Sequence, residues 1–240
     1  MKEPPIVITF IVAQIFGLLA AICMVLGAIM DIDVTEVDST KDPVIYRFVW
    51  HPVVMSIGLV YIFGCSIVVY RVLMCIDKPI KKIMHASIHY VAVALALFGL
   101  ILAIQTKNAL NYSHFTSLHG LFGLCTVILF CLQWVISFLV FLWPKAPDKI
   151  RAPGVVIHAL IGIAVFLGAL ITTISGINSK RGSSSASDVV YKASGFLYFF
   201  YVLVILFMVS MKEYKVLPRH ESTHKQVEPK RSTVVETAEG

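Results

Sequence analysis

Long apolar runs separated by short polar stretches cut most of the chain into six blocks. They are Ile6–Met30, Phe48–Tyr70, Ile83–Gln105, Ser117–Trp143, Gly154–Ile177 and Ala193–Met211. Inside each block apolar residues follow one another without the two-residue alternation of a half-buried strand, so the pattern predicts helices apolar on every side. Crossing a hydrocarbon core of ~30 Å takes about 20 helical residues, and every block supplies that many. A helix also satisfies its own backbone groups where no water can. The expected fold is therefore an all-α membrane protein with six transmembrane helices, sequence neighbours running antiparallel because the connections are short. Residues 1–211 are expected to form one transmembrane domain, leaving no room for a separate soluble catalytic domain. Residues 212–240, polar and broken by Pro218 and Pro229, are expected to be a disordered tail. The first block is longer than a signal-peptide core of about 7–15 residues, and no convincing small-residue cleavage site follows it before the acidic Asp31–Asp42 stretch, so a retained helix is expected.

Composition strengthens the membrane assignment: 58% of residues are hydrophobic and 14% charged, with mean hydropathy +0.84. The charges alternate from loop to loop. Arg71, Lys78, Lys81 and Lys82 follow the second block, and Lys145, Lys149 and Arg151 follow the fourth, whereas Asp31, Asp33, Glu36, Asp38 and Asp42 crowd the first connection. The positive-inside rule then sets the even-numbered loops and both termini in the cytoplasm. Lys180, Arg181 and Lys192 in the last outer loop run against it. The net charge of +6 follows from this topology and carries no implication of nucleic-acid binding. Cys23, Cys65, Cys75, Cys125 and Cys131 lie in or beside apolar blocks, so no outer disulfide framework is expected, and there is no Cys-x-x-Cys-His for covalent haem attachment. An Asn111-Tyr112-Ser113 sequon lies on the outer side, close to the membrane.

The chemistry lies in four histidines. His51, His85, His119 and His158 stand near the starts of the four central blocks, 34, 34 and 39 residues apart. Because successive spans reverse direction, His51 and His119 fall on one side of the membrane and His85 and His158 on the other. An ionisable residue within a span marks function by default, although a single interfacial histidine can simply bond to a neighbouring helix. An ordered quartet favours a metal or haem role. Gly58, Ala92, Gly123 and Gly162 follow the four histidines by one or two turns, where a flat macrocycle would lie, though small residues also let membrane helices approach closely. Zinc or copper would draw carboxylates or thiols, and the central blocks contain no Asp or Glu. Two histidines per iron fill both axial positions, leaving a centre that only passes electrons. With pairs near opposite interfaces, the irons are expected on the order of 20 Å apart within a ~30 Å core. His89, one turn after His85, is an alternative ligand on the same face; His114 lies in an outer loop, and His220 and His224 lie in the tail. There is no hydrolytic constellation. A haem-free ion or metal transporter with histidines along its pathway, and a structural membrane protein, are the competing readings.

Between Phe48 and Gly162 five markers occur in order: Trp50-His51-Pro52, Val69-Tyr70-Arg71, Lys82 three residues before His85, Ser117-Leu118-His119, and Arg151 seven residues before His158. In these the chain resembles the transmembrane cytochrome b561 family. The resemblance implies a central four-helix bundle enclosing two haem b groups, His51 with His119 holding the outer one and His85 with His158 the cytoplasmic one, in preference to His89. It implies an ascorbate-dependent oxidoreductase that delivers electrons to monodehydroascorbate or a ferric chelate outside, in a plasma or intracellular vesicle membrane, with a homodimer left open. Arg71, Lys78, Lys81, Lys82 and Arg151, from the two loops flanking His85 and His158, are then candidates to bind the ascorbate anion through charge-assisted hydrogen bonds. The departures lie at the other end: Thr116 stands where the family often has an aromatic residue, and Gly120 where it has a small polar one. Asn111, His114 and Phe115, with Arg47, are the candidates for shaping the outer site.

Overall fold

A computed structural model describes residues 5–35, 47–179 and 184–211. Glu36, Asp38, Asp42, Lys180, Arg181 and the tail from Lys212 onward, with His220 and His224, lie outside the described residues. Among the described residues there are six long helices and no strand. They are α1 (Pro5–Thr35), α2 (Trp50–Val72), α3 (Lys78–Ala109), α4 (Leu118–Phe141), α5 (Asp148–Ser179) and α6 (Ser185–Ser210). All six are long and apolar enough to span a bilayer, and the chain is a multi-pass membrane protein.

Several helices outrun the apolar blocks that predict them. α3 begins at Lys78 with Pro79 in its first turn, where a missing N–H is harmless, and α5 begins at Asp148. The apolar pattern measures hydrocarbon thickness, whereas the helix continues through the interface on charged residues. At 1.5 Å per residue α3 is about 48 Å long, well beyond the core. The polar residues ahead of the sixth apolar block are helical from Ser185 onward. Ser184 Oγ accepts from the Ser187 N–H at 3.1 Å and the Ser184 N–H donates to Ser187 Oγ at 3.2 Å, a capping box that starts α6 early and places Lys192 inside it.

Helices α2 to α5 form the central group, and α1 pairs with α6 along its flank. α1 carries the small buried residues Ala13, Ala20 and Ala28, and α6 carries the buried rings Tyr191, Tyr198 and Tyr201. At Gly17 an added Cβ would meet the Tyr61 and Tyr201 rings at 2.6 and 3.0 Å, so only glycine lets both rings in. α2 carries a π-helical turn from Ile57 to Ile62. The Tyr201 hydroxyl donates to the Tyr61 carbonyl there at 2.8 Å, satisfying an acceptor that the widened turn would leave poorly served.

Arg71 ties the flank to the centre. Its Nη1 and Nη2 donate to the carbonyls of Met211 at 3.1 Å and Val209 at 2.7 Å, capping the end of α6. Hydrogen bonds from a charged group contribute about 1.5–3 kcal/mol, so Arg71→Ala is expected to lower stability by roughly that amount. Thermal unfolding in detergent checks it.

Candidate functional site

Each of the four sequence-selected histidines is half-buried within the central group and faces another of the four. The His51 and His119 ring centres lie 6.3 Å apart with planes at 88°, and those of His85 and His158 lie 6.0 Å apart at 75°. One metal ion taking a nitrogen from each of two imidazoles at about 2 Å needs ring centres about 6 Å apart. Both pairs meet that requirement.

The second nitrogen of every ring is held. The His51 Nδ1–H donates to the Gly99 carbonyl at 2.8 Å, and the His85 Nδ1–H to the Ser66 carbonyl at 2.9 Å, while Ser66 Oγ donates back to the His85 carbonyl at 2.9 Å. The His119 Nδ1–H reaches the Thr172 carbonyl at 3.0 Å. His158 differs: its Nδ1 lies 2.8 Å from Ser137 Oγ, and the Gln133 amide donates to the His158 carbonyl at 2.7 Å. At His51, His85 and His119 the carbonyl acceptor makes Nδ1 the donor and leaves Nε2 unprotonated, the arrangement that metal-bound histidines adopt. Among the described residues no three His, Cys, Asp or Glu side chains converge as a bare-ion site would require, so the donor set fits a group that supplies its own equatorial ligands.

Local sequence explains the placements. Ser117 caps α4, its Oγ accepting from the Gly120 N–H at 3.1 Å, so Ser117-Leu118-His119 puts the imidazole in the first turn. Gly120 is tightly packed, and an added Cβ would meet the Phe115 Cα and Ser117 Oγ at 3.3 Å. Gly176 was not selected from the sequence, yet a Cβ there would strike His119 Cε1 at 2.7 Å. Of the small residues expected beside a macrocycle, only Gly162 lines the main cavity with its histidine. Gly58 serves helix contact instead, a Cβ there meeting Leu95 Cβ at 2.9 Å and the Ala92 carbonyl at 3.3 Å. Gly123 faces Thr172. Helix approach, the alternative explanation for small residues, accounts for these positions.

The main cavity, about 650 Å³, has His85 and His158 in its wall, with Lys78, Lys82, Asp148 and Arg151 toward the charged helix ends. Pockets for small molecules and cofactors run to about 300–1,000 Å³, so it has the capacity for a bulky planar group. Arg151 forms an ion pair with Asp148, while its Nε is buried without a hydrogen-bond partner. Lys78, Lys82 and Arg151 are thus gathered around one opening. Arg71 is engaged by α6, and Lys81 is buried at 5% exposure; neither lines the cavity. His89 lines it too, but the ring that faces His158 is His85.

At the opposite end the α3–α4 loop holds Asn111, His114 and Phe115. Asn111 and Phe115 both have φ of 53°. The His114 Nε2–H donates to Asn108 Oδ1 at 2.7 Å, the His114 and Phe115 rings lie 5.9 Å apart, and Lys107 Nζ donates to the Ser113 carbonyl. Arg47 lies elsewhere, in a separate cavity of about 460 Å³ between α2 and α3 with Trp50 and Gln105. Between the two histidine pairs sit Phe63, Phe130 and Phe166, buried at 2% exposure or less. Gly99 and His85, which mark the two sites on α3, are 14 residues apart, or about 21 Å along a helix.

Residues 50–183 match the model of the eukaryotic cytochrome b561 family. The lysosomal membrane ascorbate-dependent ferrireductase CYB561A3 of Mus musculus is 35% identical over 141 residues, 58% of this chain and 58% of that protein. The transmembrane ascorbate ferrireductase 1 of Arabidopsis thaliana is 31% identical over 163 residues, 68% of this chain and 66% of that one. The ascorbate-specific transmembrane electron transporter 1 of Zea mays is 32% identical over 171 residues, covering 71% and 72%. The chain spans less than two thirds of the mouse relative's length. The match takes in all four paired histidines and the helices that hold them, and by it this chain belongs to the cytochrome b561 family.

Proposed function

We propose that this protein carries electrons across a membrane from cytoplasmic ascorbate to an acceptor on the outer side, using two haem b groups. The single observation that carries the reading is the pairing of the four histidine rings, at 6.3 and 6.0 Å, near opposite ends of one helical group. His51 and His119 hold the outer haem, His85 and His158 the cytoplasmic one. When bound, each haem would supply an iron that takes and gives one electron. The residues do the rest. Ser66, Gly99, Thr172 and Ser137 fix the ring orientations, and Phe63, Phe130 and Phe166 keep water from the space between the sites. The basic loops orient both termini to the cytoplasm.

At the cytoplasmic mouth, Lys82, Arg151 and Lys78 form the anion site. The unpaired Arg151 Nε supports this assignment, since a buried guanidinium nitrogen without a partner favours an incoming oxygen. Arg71 is a structural cap in this reading, and Lys81 contributes charge without contact. Lys82→Ala and Arg151→Ala are each expected to slow reduction by ascorbate at least tenfold while leaving dithionite reduction intact. Stopped-flow spectroscopy separates the two, and equal ascorbate rates in variant and wild type would remove these residues from the site. The Arg71→Ala protein, once folded, is expected to keep the wild-type ascorbate rate.

Outside, the names of the relatives favour a ferric chelate over monodehydroascorbate as acceptor, with the His114–Phe115 loop nearest the His119 end of α4. Vesicles loaded with ascorbate and reconstituted with the protein test the whole reading: external ferric chelate is reduced, with haem absorption bands that change on ascorbate addition. Absence of those bands would sink it and favour a haem-free transporter.

A further inference from the structure

The reading above leaves one buried imidazole without a task. His89 follows His85 by one turn of α3, is 8% exposed, and lines the cavity between His85 and the Phe63–Phe130 pair. Its Nδ1 is buried with no hydrogen-bond partner. A neutral imidazole carries one donor and one acceptor nitrogen, and burying either unpaired is unfavourable, so leucine or phenylalanine would fill the niche at lower cost. Packing alone therefore does not account for a histidine here. Nor does ligation, because the ring facing His158 at 6.0 Å is His85.

Its contacts point elsewhere. The His89 ring stands at 90° to the His85 ring with centres 4.5 Å apart. On its other sides it meets Phe63 at 4.8 Å and Phe130 at 5.5 Å, again near-perpendicular. The ring is thus clamped against the imidazole that the Ser66 carbonyl holds from behind. At the opposite pair the His51 ring is contacted differently, lying stacked with Phe48 at 5.2 Å and an interplanar angle of 5°.

We propose that His89 is a non-ligating positioning residue of the cytoplasmic site, holding the His85 ring at its angle and lowering the reduction potential there relative to the outer site. The inference rests on the ligand assignment proposed above. An oxidised iron between two neutral imidazoles, inside a dianionic macrocycle, carries net positive charge, and the reduced form is neutral. A dipole in a low-dielectric interior acts strongly on such a charge. No hydrogen bond on Nδ1 pins the tautomer of His89, so its dipole is free to take the orientation that favours the oxidised form. An apolar side chain removes that preference.

Spectroelectrochemical titration of the full-length protein with bound haem tests this in His89→Leu and His89→Asn, with His85→Ala identifying the cytoplasmic component as the one it abolishes. In His89→Leu both haems stay bound. At a fixed ambient potential the reduced-to-oxidised ratio of the cytoplasmic component rises about tenfold, equivalent to about 59 mV for one electron, and the outer component moves less than twofold. His89→Asn keeps a buried dipole without the ring, and its shift is smaller and in the same direction. Two bound haems with the cytoplasmic ratio unchanged within twofold in both variants would overturn the proposal, as would equal shifts of both components. Loss of a haem in both His89 variants, with two retained in His85→Ala, would instead overturn the ligand assignment beneath it.

Discussion

A His51→Ala/His119→Ala double variant is expected to bind one haem in place of two, with the remaining haem still reduced by ascorbate at the wild-type rate. The reason is geometric. The two rings face each other at 6.3 Å, and removing both would take away both imidazoles that would hold a haem there. The His85–His158 pair is held independently, by Ser66 on α2 and by Ser137 and Gln133 on α4. In reconstituted vesicles the variant should lose reduction of an external ferric chelate by at least a hundredfold. A haem-to-protein ratio of two in the purified double variant would refute the pairing. The mirror variant, His85→Ala/His158→Ala, is expected to keep the outer haem and lose rapid reduction by ascorbate.

The second large effect requires no change to a histidine. Gly176→Val is expected to empty the outer site as completely as losing its ligand. A Cβ at position 176 would lie 2.7 Å from His119 Cε1 and 3.0 Å from Nδ1, closer than van der Waals contact allows. The ring is also tethered to the helix that carries Gly176, because its Nδ1–H is committed to the Thr172 carbonyl. It must therefore swing off that bond and out of line with His51. Overpacking of this kind costs about 1–3 kcal/mol, which a helical bundle of this size tolerates, so the protein is expected to fold and retain one haem. Haem content by absorbance together with thermal unfolding checks it. Two tightly bound haems in Gly176→Val would show that His119 has room the structure does not reveal.

How legible these features are in the sequence depends on what each one requires. The four paired histidines are readable because their spacing, one per span, is a property along the chain. Their sorting into opposite ends follows from helix reversal, which short loops enforce. The basic residues at the cavity mouth are only partly readable. Arg71 and Lys82 carry the same charge in the same loop, yet one caps α6 through the Met211 and Val209 carbonyls and the other lines the cavity. The small residues after the histidines mislead for a similar reason: Gly58 is a contact between α2 and α3, and the glycine that accommodates an imidazole is Gly176, on a different helix from the histidine it serves.

The sequence by itself determined the six spans, the all-α class, the family and the positions of the four histidines, because hydropathy runs and intervals between residues are one-dimensional quantities. Only the tertiary structure decided at what distance and angle the paired rings meet, what holds each Nδ1, and which basic side chains line the cavity. Those depend on the rotation of each helix about its axis. In a soluble helix the apolar stripe reports that rotation. In a helix apolar all round it does not, and the close contacts of glycines, alanines and tyrosines between helices set it instead.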